Sequence, residues 1–234
     1  MLILAFETSA KAASVALSDG SKLLGESYQN TGLTHSQTLM PMAQQLLESC
    51  GYTPQQVEAV AVAAGPGSFT GIRIGVAAAK GFAWGKELPC YGVSTLEAMA
   101  RSLGVWSGLV VPVMDARRSQ VYTATFHVQD GKLSRLCEDR AISLQELGEE
   151  LKDVTQPIFL VGDGSNLCYN TLKDVAPKLV LPPEHHMHQR AVGVALVAAD
   201  KIAANAPGNG AELTPNYLRL SQAERERLEK EKKA

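Results

Sequence analysis

The sequence predicts an α/β protein built from two related units, each with a mixed sheet flanked by helices. Three observations support this fold class. Apolar runs as long as buried strands alternate along the chain with segments of helical periodicity. An Asp-Gly pair, a strong hairpin signal, follows a strand-like run at 19–20 and again at 130–131. The order of apolar run, acid, strand and Asp-Gly turn occurs twice, which is a weak internal repeat.

The first unit is predicted to begin with a hairpin and to continue with alternating strands and helices. Thr34 can cap its first helix and Gly51 can end it. The predicted strands of this unit are 2–6, 14–17, 22–28, 57–64 and 88–93, and its helices are 34–50, 72–85 and 94–103.

The second unit repeats the pattern. Its predicted strands are 109–114, 120–128 and 158–161, and its helices are 144–152 and 191–204, with a loop at 162–166. We expect residues 1–104 to form an N-terminal lobe and 105–220 a C-terminal lobe. Residues 221–234 alternate acidic and basic side chains and are predicted to be a charged helical or disordered tail.

Composition excludes several function classes. The 234 residues carry 22 basic and 24 acidic side chains, a net charge of −2, and a protein that binds RNA or DNA by itself is usually basic. No apolar run is long enough to span a bilayer, and the N-terminus does not resemble a signal peptide. The four cysteines form no CxxC pair, so a zinc ribbon is not indicated, and we expect a reducing, cytoplasmic location.

Two segments could bind phosphate. Glu7, Thr8 and Ser9 follow the first strand, where hydroxyl and backbone N–H groups can face an anion, although a simple hairpin turn is favoured locally. The glycine-rich run 65–71 stands between a strand and a helix, but it is neither a Walker motif nor GxGxxG. A tight connector explains this run at least as well as a phosphate cradle.

Two further clusters contain candidate ligand-binding residues. Asp115 is followed by Arg117 and Arg118, which could bind phosphate or form a local ion pair. The histidines at 185, 186 and 188 could bind a metal, but adjacent imidazoles rarely face one ion, so a surface loop is the favoured interpretation.

Two predicted helices of the first unit are unusually apolar. Gly71, Gly75 and Ala79 recur every four residues in one of them, and the 34–50 helix has two apolar stripes. Such faces are either buried in the protein or cover a partner. If they cover a partner, Gly75→Arg should spare the fold and abolish pairing.

A long motif then points to a family. Residues 6–9, the hairpin at 19–20, His35-Ser36 and above all the run 63–75 resemble the bacterial TsaB family, also called YeaZ, and the resemblance extends over essentially the whole chain. It implies the two-lobed fold of actin, sugar kinases and Hsp70 (the ASKHA fold), with duplicated ribonuclease H-like lobes.

The resemblance also implies a function. TsaB-family proteins are subunits of the machinery that places threonylcarbamoyl on the tRNA adenosine next to the anticodon. The chain is therefore expected to be non-catalytic, to pair with the catalytic paralogue TsaD as a heterodimer, to work with the ATPase TsaE, and to meet tRNA only through that complex. A homodimer is an expectation for the isolated chain.

The resemblance assigns residues to two sites. The expected partner interface comprises His35, Leu39, Met40, Met42, Leu47, Gly71, Arg73, Ile74, Gly75, Ala78, Ala79 and Phe82. A vestigial nucleotide site is expected at Glu7, Thr8, Ser9, Asp115, Gly162 and Gly164. No catalytic residue, metal or cofactor is assigned, although ATP or ADP could bind at the vestigial site or at a subunit seam.

Departures from the TsaD pattern carry the expectation of no catalysis. Thr95 and Met99 stand where TsaD has its metal-binding histidine pair, and Lys11 and Ala12 stand where it has two acids. A stand-alone peptidase or ATP-dependent enzyme of this fold, and a nucleotide-binding regulator, remain as alternatives.

Overall fold

A computed structural model describes residues 1–103 and 106–219, and it contains the two predicted mixed sheets. The first sheet has the strand order β3-β2-β1-β4-β5. Its strands are β1 (Leu2–Glu7), β2 (Ala13–Asp19), β3 (Lys22–Gln29), β4 (Ala59–Gly65) and β5 (Cys90–Ser94), and the helices of this half are α1 (His35–Ser49), α2 (Phe69–Trp84) and α3 (Thr95–Ser102).

The second sheet has the order β10-β7-β6-β11-β12, with β8 pairing to β6 and to β9. Its strands are β6 (Gly108–Asp115), β7 (Gln120–Thr123), β8 (Phe126–Gln129), β9 (Lys132–Arg135), β10 (Arg140–Ser143), β11 (Ile158–Val161) and β12 (Leu179–Val180). The helices of this half are α4 (Leu144–Leu151), α5 (Ser165–Leu172) and α6 (Ala191–Ala203).

The weak sequence repeat corresponds to a real structural repeat. β1 pairs antiparallel with β2 and parallel with β4, and β6 pairs in the same way with β7 and β11. An acid ends each central strand, Glu7 in β1 and Asp115 in β6. The two acids therefore lie at equivalent ends of the two sheets.

The single strand predicted at 120–128 is wrong, because the structure divides it into β7 and β8. β7 pairs with Val113–Asp115 and β8 with Gly108–Val110, so the division lies opposite Pro112. Proline has no N–H to give to a strand ladder. Thr123 Oγ1 instead donates to the Pro112 carbonyl at 2.8 Å.

Helix α6 follows the second sheet in sequence but packs on the first. Its apolar face covers Ile3, Ala5, Ala61 and Val93 of β1, β4 and β5. Helix α3 in turn contributes Leu96 and Met99 to a cluster with β6 and β8. Residues 104 and 105, where a lobe boundary was predicted, and the predicted tail 221–234 lie outside the described residues, so this division stays a prediction.

Candidate functional site

A cleft of about 630 Å³ lies between the two sheets. Its lining comes from the turn after β1, the loop and first turn of α2, the end of β6, and residues near the C-terminus. The lining includes polar, charged and aromatic side chains, among them Ser9, Lys11, Phe69, Asp115, Tyr122, Asp163, Tyr217 and Arg219. The cleft therefore contains both basic and acidic groups, and its size suits a small ligand.

Glu7 is buried two residues before Ser9, which lines the cleft. Its Oε1 accepts a hydrogen bond from the Ser9 N–H at 2.6 Å, whereas Oε2 has no partner among the described residues. Burial raises the pKa of this carboxyl to about 7, with a further contribution from Asp163 and an opposing one from the Ser9 hydrogen bonds. Glu7 can therefore gain or lose a proton near neutral pH.

Asp163 approaches Glu7 from the second sheet, at the turn after β11. Burial raises the pKa of Asp163 and the charge of Asp115 adds to this, while a 2.9 Å hydrogen bond from Gln189 Nε2 acts in the opposite direction. The charge of Asp163, from the second sheet, thus acts on the pKa of Glu7, from the first. In the described part of the chain, no group of three or more His, Cys, Asp or Glu side chains is arranged to hold a metal ion.

The glycine-rich loop and α2 pack tightly against the turn after β1. A Cβ on Gly71 would lie 2.1 Å from the Thr8 carbonyl oxygen, and a Cβ on Gly75 would lie 2.4 Å from Thr8 Oγ1. Thr8 Oγ1 also donates to the Gly71 carbonyl at 2.8 Å. The spacing of Gly71 and Gly75 therefore allows close packing within the chain, which is the buried alternative stated above for this helix.

The six residues of the expected nucleotide site divide into two groups. Ser9 and Asp115 line the cleft, and Glu7 is buried and accepts a hydrogen bond from the Ser9 N–H. Thr8 is fully buried against α2, while Gly162 and Gly164 lie against Val113 of β6. A nucleotide role for these residues stays a proposal.

The residues of the expected partner interface also fall into two groups, one buried and one exposed. Six of its residues are buried in the chain itself, namely Leu39, Met42, Leu47, Gly71, Gly75 and Ala79. These six side chains are covered while α1 and α2 pack on the first sheet, and their direct contact with a partner stays a prediction. The other six are partly or fully exposed, namely His35, Met40, Arg73, Ile74, Ala78 and Phe82.

We call the exposed side of α1 and α2 the α1–α2 face, defined by Met40, Ile74, Ala77, Ala78 and Phe82. Met40 is 41% exposed, and Trp84 at the end of α2 is 83% exposed.

The histidine cluster lies in a short 3-10 turn, Glu184–His186, and the residues after it. His188 Nε2 lies 3.2 Å from Glu184 Oε1, and the His186 ring contacts the edge of Trp106. These contacts fit the surface-loop interpretation.

Sequence reasoning missed several cleft residues. The sequence predicts only a loop around Asp163, and Asn216–Arg219 carry no periodicity or motif that would place them between the sheets. Their position depends on the chain returning to the first sheet after α6. The two glycines that flank Asp163, directly after a predicted strand, are the one available signal.

Comparison with known proteins shows which family the chain belongs to. A family profile described as TsaD, tRNA N6-adenosine threonylcarbamoyltransferase, matches residues 29–227. The tRNA threonylcarbamoyladenosine biosynthesis protein TsaB of Bacillus subtilis is 34% identical over 99% of this chain and 100% of its own length. The chain belongs to the TsaB family. The Escherichia coli TsaB is 36% identical over 70% of this chain and 72% of its own length.

Solved structures agree with this membership. YeaZ from Pseudomonas aeruginosa superposes with a TM-score of 0.77 at 25% identity, covering 93% of this chain and 99% of its own. A ROK hexokinase from Thermus thermophilus has a TM-score of 0.51 at 12% identity, covering 87% of this chain and all of its own, which concerns the fold alone. The ASKHA fold expected for this TsaB-family chain is therefore confirmed. No helix in the described ranges has the length and apolar character to cross a membrane.

Proposed function

We propose that this chain is a non-catalytic subunit in the formation of threonylcarbamoyladenosine on tRNA, which binds and activates the catalytic paralogue TsaD and works with the ATPase TsaE. The observation that carries the proposal is the α1–α2 face. Its apolar side chains Met40, Ile74, Ala78 and Phe82 are half-buried or exposed on two adjacent helices.

The scarcity of charged side chains on α1 and α2 supports docking at this face. Apart from His35, the two helices contain only Glu48, Arg73 and Lys80 as charged residues. Lys80 is engaged by backbone carbonyls near the C-terminus. The centres of protein interfaces are depleted of charge and enriched in aromatic residues and methionine. The residues that define this face include Met40 and Phe82 and carry no charge.

The buried positions support a role without metal chemistry. Thr95 and Met99, which the resemblance places at the metal-binding histidines of TsaD, are almost fully buried. Met99 lies in an apolar cluster with Leu96 and Met114. In this proposal the chain supplies a docking surface and a fixed shape, and the reacting groups belong to its partner.

Reconstitution tests the role. Threonylcarbamoyladenosine is measured on unmodified tRNA with TsaD, TsaE, ATP and threonylcarbamoyl-adenylate, with this chain present or omitted. We expect product only when both this chain and TsaD are present. An equal yield without this chain would refute the proposal.

A matched pair of variants tests the surface. Met40→Asp places a charge on the α1–α2 face, and Leu167→Asp places one on α5, where the side chain is 43% exposed. Met40→Asp should reduce co-purification with TsaD at least about tenfold, which corresponds to about 1.4 kcal/mol, and Leu167→Asp should leave it unchanged. Equal retention of both variants would place the partner elsewhere.

A nucleotide-binding regulator is the second candidate, and the cleft is the observation in its favour. Lys11 and Arg219 line the cleft beside the first turn of α2, where Ser68–Thr70 begin the helix. Helix N-termini favour anions. Isothermal titration with ATP and ADP tests nucleotide binding in the cleft. Heat of binding that is lost in Lys11→Ala would support this function.

A further inference from the structure

Residues 211–219, which we call the strap, follow α6 and run along α2. Lys80 Nζ of α2 donates to the carbonyl oxygens of Ala211 at 3.2 Å and Leu213 at 3.1 Å. The Leu213 side chain is buried in the apolar core of the first sheet. The start of the strap is thus part of the first half of the protein.

The middle of the strap is held at the mouth of the cleft. The Asn216 N–H donates to the Ala64 carbonyl of β4 at 2.7 Å. The Tyr217 ring stacks on Phe69 with centroids 4.5 Å apart. Arg73 Nε donates to the Tyr217 hydroxyl at 2.7 Å, and its guanidinium lies 3.8 Å from the centre of the Phe69 ring.

The end of the strap reaches the second sheet. Arg219 Nη1 donates to the carbonyl oxygen of Ala116 at 2.5 Å, and Ala116 directly follows β6. Asn216–Arg219 form one wall of the cleft as they cross it. The strap therefore bridges β4 and α2 on one side and the end of β6 on the other.

The covalent connections between the two halves are few. The chain leaves the first sheet through α3 and the segment to Gly108, and it returns between Met187 and Ala191. Two-lobed proteins move by hinge rotation about such connections. Side-chain bonds beside α3 also join the halves, from Ser94 Oγ to Asp139 Oδ2 at 2.6 Å and from Arg135 Nη2 to Glu97 Oε2 at 3.1 Å. The strap instead crosses the cleft, where its hydrogen bonds and ring contacts would restrain that rotation.

We propose that the strap is a releasable latch that fixes the distance between the two sheets. Its first end is anchored by the buried Leu213 and by Lys80. Its last residue, Arg219, is attached to the second sheet by the hydrogen bond from its guanidinium. Release of Arg219 opens the cleft without unfolding the first half, and with Arg219 in place the cleft stays closed.

Distance measurement between spin labels in the full chain tests the latch. Cysteines are introduced at the exposed positions Gln44 of α1 and Glu149 of α4 in a background with Cys50→Ser and Cys137→Ser. Cys90 and Cys168 are left in place, because they are buried and burial raises the pKa of both thiols, to about 11 and about 12.

Arg219→Ala is the test variant, and Arg118→Ala removes an exposed guanidinium from the second half as the control. We expect Arg219→Ala to shift the distance distribution to longer values and broaden it, with the far-UV circular dichroism and the thermal midpoint close to those of the parent. Arg118→Ala should reproduce the parent distribution. An unchanged distribution in Arg219→Ala, or the same shift in Arg118→Ala, overturns the proposal.

Tyr217→Ala removes the ring contact in the middle of the strap and gives an independent check. Its distance distribution should shift in the same direction as that of Arg219→Ala. An Arg219→Ala shift without any Tyr217→Ala shift would show that the strap does not act as one latch, and it would also overturn the proposal.

Discussion

Glu7 makes the stability of the protein depend on pH. Its pKa is about 7 in the folded chain against 4.5 for an ordinary glutamate, because burial disfavours the charged form. The stability that depends on the protonation of Glu7 is fully present below pH 4.5, where this carboxyl is protonated in both the folded and the unfolded state. It falls as the pH rises through 7, because the unfolded chain loses this proton first, and the loss amounts to about 3 kcal/mol.

Glu7→Gln should remove this dependence. The amide can keep the acceptor for the Ser9 N–H, and it carries no charge to bury. We expect the variant to be more stable than the parent at pH 8 and similar at pH 4.5, as measured by urea denaturation at both values. A parent chain whose free energy of unfolding does not fall over this pH range would contradict the assignment.

Two glycines of α2 should respond oppositely to alanine. The Cβ of Gly75→Ala would meet Thr8 Oγ1 at 2.4 Å, whereas that of Gly81→Ala would meet nothing within 4 Å. Overpacking costs about 1–3 kcal/mol, and an exposed helical Gly→Ala stabilises by about 1 kcal/mol. The sequence-based expectation that Gly75→Arg spares the fold is therefore wrong, and thermal midpoints of the two alanine variants would show the contrast.

At the scale of elements, α4 is stabilised by a capping box. Ser143 Oγ accepts from the Glu146 N–H at 3.1 Å, and Glu146 Oε2 accepts from the Ser143 N–H at 2.8 Å. Ser143→Ala should lower the free energy of unfolding by about 1 kcal/mol. Gln145→Ala, exposed on the same helix, should change it by less than about 0.5 kcal/mol. Equal effects in chemical denaturation would show that the cap does not stabilise α4.

Elements with a strong local signal were predictable. The hairpin around Asp19 and the strand Ile158–Val161 agree with the structure, because turn chemistry and a continuous apolar run determine them locally. Helix α5 was missed, since it is short, mixed in polarity and has no side-chain cap. The role of Pro112 in dividing β7 from β8 depends on strand pairing that no local pattern reveals.

The same limit applies to the candidate site. Glu7, Ser9 and Asp115 were found because each belongs to a turn or strand end that local rules recognise. Asp163 and Arg219 were not, because their neighbours in the cleft are distant in sequence. The burial of Leu39 and Gly75 likewise follows from which stripe of each helix meets the first sheet.

At the scale of the whole molecule, the first sheet is completed by a helix that follows the second sheet in sequence. The face of the first sheet formed by Ile3, Ala61 and Val93 is covered by α6, which comes from the end of the chain. A fragment of residues 1–103 would expose this apolar face to water.

We therefore expect the 1–103 fragment to be aggregated or loosely packed, with poor dispersion in its amide NMR spectrum. The full chain under the same conditions is the control. A well-dispersed, monomeric spectrum of the fragment would show that the first half is an autonomous domain.

The position of Trp84 gives the protein an optical reporter. It is one of two tryptophans, and it is 83% exposed at the end of α2, while Trp106 is partly covered by Phe159. Exposed indoles emit at longer wavelength than buried ones, so covering α2 would shift the fluorescence of Trp84 to the blue. With Trp106→Phe, this one side chain would report docking on the neighbouring face in real time and without a label.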